Sequence, residues 1–470
     1  MVEIINKMVT AVSDILYRPW CVPLILLAGG IIMTLRSGFV QIRLIKESVK
    51  VVMEKPKSAN GISSFGALMV STASRVGTGN IIGVATAICA GGPGAIFWMW
   101  ITALIGASSA FVESTLAQIY KKKNPDGSSY GGPAFYMRDA LKQRWLGVIF
   151  SMLIILTYAV GYNMLASYNL QSTFEVFPFY GKATPAIIGG VLAVLFGLIV
   201  IGGATRLVKV TSVMVPVMGV LYILVAVLVL VLNRRNIGPM FSLIFENAFD
   251  FRAIMGGFTG SCIMHGIKRG LYSNEAGMGS APNASATADV SHPAKQGLVQ
   301  VLSVFLDTLL ICTATAFMCL SSGVSYNADM SGAAYVQSAL QASLGDWGPI
   351  FITLSMSLFA FTTLIGNYSY CEGCLTFILN RKPSKVSLVL FRILATVLVF
   401  VGAIASAGLV WNMADMTQGL MVIVNVPVIL LLMKPAMDCL KDYCRQRREG
   451  IDPHFRAKDI NIKEDLDFWQ

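Results

Sequence analysis

The stretch Ser71 to Gly83, STASRVGTGNIIG, places small, polar and glycine residues, together with Arg75, inside an apolar run of membrane-spanning length. In lipid every backbone N–H and C=O must be satisfied, so an interruption at that depth survives only where packed protein or a bound solute supplies partners. The run therefore reads as a broken transmembrane helix with a binding site at the break.

A second interruption, GIKRGLYSNEAGMGSA at Gly266 to Ala281, lies in another apolar-to-small stretch. Broken helices in corresponding places of two halves are the pattern expected of a secondary transporter built on inverted repeats, with its site near the bilayer midplane. Composition agrees: 470 residues that are 55% hydrophobic and 13% charged, with mean hydropathy +0.67, cannot be covered by a polar surface in water. Runs of roughly twenty apolar residues, enough for about 30 Å of hydrocarbon, number about eleven: 15–35, 62–90, 95–119, 145–168, 184–203, 210–232, 254–289 (the second broken one), 297–322, 349–379, 387–408 and 417–433. The first begins too far along the chain, and lacks an A-x-A-like site, to read as a cleaved signal peptide.

The net charge of +11 reads as orientation rather than nucleic-acid binding. Basic residues crowd the connections of one side: Arg43, Lys46, Lys50, Lys55 and Lys57; Lys121 to Lys123, Lys142 and Arg144; Arg206 and Lys209; Arg381, Lys382 and Lys385; Lys434, Lys441, Arg445, Arg447 and Arg448. Ser322 to Gly348, on the other side, has none. The positive-inside rule then predicts an outer N-terminus and a cytoplasmic C-terminus. Arg234, Arg235 and Arg252 disagree, softened by Glu246 and Asp250. The nine cysteines scatter through apolar spans, and the pair Cys371 and Cys374 lacks a second ligand pair for zinc.

With the first span set aside, ten remain, five and five, each group opening on a glycine-interrupted helix. The expected organisation is 1–61 as an extra helix and basic linker, 62–253 and 254–433 as two five-helix repeats, and 434–470 as a cytoplasmic tail. The linker from Arg36 to Gly61 reads either as an interfacial segment or as a solvated connection.

At the first break, Gly77 and Gly79 expose backbone groups, and Thr78 and Asn80 add side-chain donors and acceptors. A helix half starting there turns its positive end toward a carboxylate, while carbonyls freed by the break suit a cation. A glycine-rich packing surface is the competing reading. The second break carries Tyr272, Ser273, Asn274 and Glu275 before Gly277 and Gly279. Glu275 either holds a proton or cation or satisfies freed backbone groups, and the structural role is preferred. Tyr272, Ser273 and Asn274 are the better substrate contacts. Arg75, Glu113, Asp307, His265, Lys268 and Arg269 receive no transport role: Glu113 and Asp307 are candidates to neutralise Arg75, and Lys268 and Arg269 to anchor their helix toward the inner half.

These segments, with GGPGAIFWMWITALIG at Gly91 to Gly106, YGGPAFYM at Tyr130 to Met137 and KRGLYSNEAGMGSAPNASATADVSHPAKQGL at Lys268 to Leu298, resemble the alanine or glycine:cation symporter family (sodium:alanine symporter family, amino acid-polyamine-organocation superfamily) along nearly the whole chain. The resemblance implies an all-α integral membrane protein with a leucine-transporter-like five-plus-five inverted repeat and one extra N-terminal helix. It implies symport of a small neutral amino acid with sodium, protons being the alternative ion, and no other cofactor. It carries the substrate site onto Thr78, Gly79, Asn80, Tyr272, Ser273, Asn274 and Glu275, and implies a cation site of hydroxyls from Thr362 and Thr363 with carbonyls near Ala73, Ser74 and Val76, oxygen ligands of the kind a hard cation prefers. Threonines in membrane helices also bond their own i−4 carbonyl, which is the competing role.

Two departures from the family pattern bear on selectivity. Many members have NxVQxN on the third helix of the first repeat; here NMLASY at Asn163 to Tyr168 puts Ala166 at the glutamine position, removing a substrate-facing amide. Asn367 stands where some members have tryptophan. A larger neutral substrate, such as glutamine, is therefore the alternative to alanine or glycine. A non-transporting amino-acid receptor is a further alternative, opposed by the lack of a sizeable soluble output domain. An enzyme is not expected, since His265, His292 and His454 form no cluster with a nucleophile or metal ligands. The expected partners are an amino acid and lipid, in a bacterial or archaeal inner membrane.

Overall fold

The computed structural model describes residues 2–56, 58, 61–250, 261–381, 383–460, 462, 464 and 466–469. Lys57, Arg252, Lys382 and the opening residues 254–260 of the second broken span lie outside them. The chain is mostly helical. It runs α1 (Val2–Leu16), α2 (Val22–Arg36) and short α3 (Ile45–Val52). The first broken helix follows as α4 (Ser64–Arg75) and α5 (Val84–Gly91), joined through a widened turn at Gly79–Gly83. Next come α6 (Gly94–Ile119), α7 (Arg144–Ser172), α8 (Thr184–Ile201), α9 (Gly203–Leu232) and α10 (Ile237–Ala248). The second broken helix opens with α11 (Cys262–Asn274), followed by α12 (Pro293–Ser321), α13 (Gly332–Leu344), α14 (Trp347–Leu379), α15 (Lys385–Ile404), α16 (Ala407–Leu431) and α17 (Met433–Arg448). After α6, Lys122–Lys123 pairs antiparallel with Ser129–Tyr130, Lys122 opposite Tyr130.

Eight of these helices, α6 to α9, α12 and α14 to α16, are long and apolar enough to cross a membrane. α8 and α15 pack together at the periphery and turn Val191, Leu198, Leu390 and Ile393 outward. Exposed aliphatic residues on apolar helices of this length are what a lipid-facing surface requires. The broken helices are buried among the others, α4 from Gly66 to Arg75 and the turn Gly79–Gly83 throughout. Backbone approaches backbone there: a Cβ on Gly366 of α14 would collide with the Ser74 nitrogen of α4, the small-residue contact by which membrane helices come close.

Two expected boundaries shift, and one connection gains a helix. The span 15–35 is two helices, parted around Arg18 to Cys21, and α1 is tied down where Asn412 Nδ2 donates to Thr10 Oγ1 at 2.7 Å. The last span begins ten residues earlier than the expected residue 417, because Asn412 and Asp415 interrupt the hydropathy yet are paired, with Thr10 and Arg269. The connection Ser322 to Gly348 contains α13, capped by Ser331, whose Oγ accepts the Ala334 N–H at 3.2 Å.

The charged tail folds back onto the helix ends. Trp469 Nε1 donates to the Gln118 carbonyl at 2.8 Å, and Lys121 Nζ lies 4.6 and 5.0 Å from the ring centres of Phe468 and Trp469. Asp467 takes Lys122 at 3.0 Å, and Phe455 N–H reaches the Ser291 carbonyl at 3.0 Å. His292, buried beside Tyr443 and Phe455, accepts the Ala294 N–H at Nδ1, so its proton sits on Nε2, 3.3 Å from Asp442. Burial pushes its pKa below the ordinary range against the pull of Asp442. Trp469→Ala should release this strap at a local cost of about 3–5 kcal/mol, seen as faster proteolysis beyond Arg448 with the membrane helices still protected.

Candidate functional site

The first break follows from lost ladder bonds. Val76 still donates to the Thr72 carbonyl at 2.7 Å, but its ψ of 86° leaves the helix. An unbroken helix would send the Gly77 N–H to the Ala73 carbonyl; it goes instead to Asn80 Oδ1 at 2.7 Å. The Asn80 N–H likewise turns to the Gly77 carbonyl at 3.2 Å rather than to Val76. The Ala73 and Val76 carbonyls thus lose their helical donors.

Thr363 of α14 faces this gap, and a Cβ on Gly77 would collide with its Oγ1. That hydroxyl is buried without a hydrogen-bond partner. Thr362 behaves differently, since its hydroxyl donates to the Leu358 and Phe359 carbonyls of its own helix, each at 3.1 Å. Ser74 Oγ points across the gap, 2.9 Å from Glu275 Oε1 and 2.7 Å from Asn367 Oδ1.

The second break is a run of left-handed residues, Glu275 at φ 54°, Gly277 at 83° and Gly279 at 79°. Glu275 Oε2 takes the Ser280 hydroxyl at 2.7 Å, so both its oxygens are held by serines. Glu113 of α6 accepts the Gly279 N–H at 3.1 Å and Asn425 Nδ2 at 2.9 Å, while Asn425 also donates to the Gly277 carbonyl at 3.0 Å. Freed backbone groups are therefore met by side chains of α6 and α16, as a low-dielectric interior demands.

The two breaks touch directly. Thr78 Oγ1 lies 3.0 Å from the Tyr272 hydroxyl, and the Tyr272 ring rests on Gly79, where a Cβ would stand 2.7 Å from Cε1. Asp307, in the widened turn Phe305–Cys312 of α12, completes the joint. Its Oδ1 takes Asn80 Nδ2 at 2.6 Å, and its Oδ2 takes Ser273 Oγ at 2.7 Å and Thr308 Oγ1 at 2.8 Å. Widened turns of this kind are frequent at functional sites. Asn274 Oδ1 holds the Ala276 N–H at 3.0 Å, leaving its buried Nδ2 unpartnered.

Sequence patterning missed two features. Asp307, a candidate on sequence to neutralise Arg75, gives its hydrogen bonds to the two breaks and to Thr308. Asn169, one helical turn after buried Ala166, donates from Nδ2 to Thr78 Oγ1 at 3.2 Å and keeps a buried, unpartnered Oδ1. The amide missing at 166 thus reappears on the same face of α7. Arg75 is 1% exposed, donates to Gln300 Oε1 at 2.9 Å, and forms no ion pair with a carboxylate among the described residues. Lys268 and Arg269, expected to anchor toward one membrane face, both meet Asp415 of α16, at 3.6 and 2.6 Å. The Arg269 guanidinium stands 4.2 Å over Trp411, which packs on Tyr272.

The sequence profile of the family described as "Sodium:alanine symporter family" matches residues 2–457. The chain belongs to this symporter family. Among its relatives, the amino-acid carrier protein AlsT of Bacillus subtilis (strain 168) is 43% identical over 471 residues, covering 100% of this chain and 99% of that protein. The probable sodium/glutamine symporter GlnT of the same organism is 44% identical, covering 100% and 97%. The sodium/alanine symporter AgcS of Methanococcus maripaludis is 37% identical over 437 residues, covering 91% and 94%. Among solved structures, MhsT in complex with L-phenylalanine aligns with TM-score 0.55 at 15% identity, over 87% of this chain and 92% of that one. At that identity the likeness concerns the fold, which is of the leucine-transporter type. This member of the sodium:alanine symporter family is thus a multi-pass membrane protein of a transporter family, carrying two interrupted helices that meet at a polar joint.

Proposed function

We propose that the protein is a secondary symporter that imports a neutral amino acid with sodium, by alternating access. The observation that carries this is the meeting of the two breaks at Thr78–Tyr272 and Asp307, beside an unpartnered hydroxyl on Thr363. Residues 62–253 and 254–433 serve as the two inverted repeats, with 1–61 ahead of them and 434–470 as a cytoplasmic tail; the N-terminus lies outside. Sodium would be held by Thr363 Oγ1 with the released Ala73 and Val76 carbonyls and nearby Ser74; neutral oxygens of this kind suit a hard monovalent cation. Thr362 would support this site through its helix. Proton coupling is the alternative for the ion.

The amino acid would sit among Thr78, Gly79, Asn80, Tyr272, Ser273, Asn274 and Glu275. Its carboxylate would meet the N-terminal end of the second half of the broken helix. Relatives named as alanine and as glutamine symporters support a neutral substrate. The free Asn169 Oδ1 favours a donor on the substrate, either the ammonium or a side-chain amide, and Ala166 leaves space for the larger one. Asn169→Ala should raise KM for the amino acid about tenfold, the loss of one buried hydrogen bond, with the sodium concentration for half-maximal uptake unchanged.

The deciding experiment is uptake of a panel of labelled amino acids into proteoliposomes under an inward sodium gradient, a proton gradient, or neither. Accumulation driven by sodium is expected. Binding without accumulation would overturn symport in favour of a receptor, and accumulation driven by protons alone would overturn the sodium site.

A further inference from the structure

The helix ends on the basic side enclose a groove of about 490 Å³ between the end of α2, the segment after it, and α17. Its wall carries Arg36, Arg43, Lys441, Arg445 and Arg448 against one acid, Glu449. Lys441 and Arg445 have their own carboxylates, Asp438 and Asp442. Arg36 and Arg448 form no ion pair among the described residues, and Arg43 reaches only the Ser37 carbonyl, at 3.2 Å.

The fold builds this concentration of charge locally. Gly38 and Phe39 both adopt left-handed backbone, φ 62° and 55°, which turns the chain sharply off α2 and brings Arg36 and Arg43 to one wall. Buried Met437 and Leu440 line the same groove. Beside it Leu35 at the end of apolar α2, and Phe39 and Ile42 in the segment after it, are 60, 49 and 60% exposed. A ligand for this place carries a negative headgroup next to apolar chains.

We propose that the groove holds the phosphate headgroup of an anionic phospholipid, with Arg36, Arg43 and Arg448 on the phosphate and the acyl chains along the exposed face of α2. Basic pockets between transmembrane elements select such headgroups, and arginine's planar fork suits phosphate oxygens. Nothing in this depends on the substrate or coupling ion.

The test is native mass spectrometry of the full-length protein titrated with phosphatidylglycerol or phosphatidylcholine of matched chains. Retention of phosphatidylglycerol in preference to phosphatidylcholine is expected. The variant Arg36→Gln/Arg43→Gln/Arg448→Gln should weaken it on the order of a hundredfold, about fivefold for each charge removed. A control with the same charge loss elsewhere, Lys209→Gln/Arg381→Gln/Lys385→Gln, should bind like the parent. Equal losses in both variants, or no preference in the parent, would overturn the site. Should the triple variant fail to fold, a photoactivatable phosphatidylglycerol applied to the parent still decides the matter. Adducts within 35–43 or 437–449 are expected, and adducts spread evenly over the helices would overturn the proposal. Inorganic phosphate is the third arm. Thermal stabilisation of the parent by millimolar phosphate, without lipid retention, would reassign the groove to a soluble phosphate and overturn the lipid.

Discussion

Thr363→Val is expected to raise the sodium concentration for half-maximal uptake by at least the ten- to hundredfold that loss of even an outer-shell partner costs a metal site. Thr362→Val should change it less than about threefold, because its hydroxyl bonds only carbonyls of its own helix, a loss at the low end of the roughly 0.5–1.5 kcal/mol of one hydrogen bond. The two threonines are adjacent in sequence and equally buried, so hydropathy does not separate them. Their hydroxyls do: Thr362 spends its proton on its own helix, while Thr363 faces Gly77 with no protein partner. Valine is nearly isosteric with threonine, so the substitution at 363 removes an oxygen and leaves the packing of α14 on α4 in place. Sodium titrations of both variants at fixed amino acid check this. Equal responses from the two would remove Thr363 from the cation site.

Asp307→Asn is expected to lower uptake at least a hundredfold while the protein still folds. Asp307 is the common acceptor for Asn80 of the first break, Ser273 of the second, and its neighbour Thr308. Hydrogen bonds to a charged group contribute about 1.5–3 kcal/mol each. An asparagine can keep its oxygen on Asn80, but the Ser273 and Thr308 hydroxyls then lose their anionic acceptor and have to turn to accept from the NH2. Losing two such bonds costs about 3–6 kcal/mol, and about 1.4 kcal/mol is a tenfold effect. Because Asp307 acts by aligning the breaks, kcat should fall along with affinity, whereas Asn169→Ala moves affinity alone. Uptake by the Asp307→Asn variant within about threefold of the parent, by the same reckoning, would reduce the residue to packing.

What the sequence revealed, and what it hid, follows from how each feature is paid for in partners. Both breaks were legible because glycine and polar residues within apolar runs have few explanations in lipid. Family membership was legible from long motifs such as Lys268 to Leu298. The start of α16 is hidden because Asn412 and Asp415 look solvent-facing until their partners, Thr10 and Arg269, are known. The strap was hidden by its charge, although Phe455, Phe468 and Trp469 in so polar a segment were the available sign. Asn169 is hidden because the family pattern places the amide at position 166, although a spacing of three on a helix puts both on one face. Asp307 stands out as an acid in an apolar span, but spacing along one sequence does not say which of several polar groups it meets.

The contact between Thr78 and Tyr272 has one more consequence. In this conformation the protein's own groups occupy one another: Tyr272 covers Gly79, and Asn80 and Ser273 are bound to the same carboxylate. A solute entering here exchanges bonds rather than adding them, and it binds the fraction of molecules in which these contacts have parted. The apparent dissociation constant is then the intrinsic one divided by that fraction. Substitutions that never touch the amino acid and loosen only the Thr78–Tyr272 contact, leaving Asp307 to align the breaks, tighten binding, so weak affinity in this carrier reflects a well-closed resting site rather than a poorly matched one.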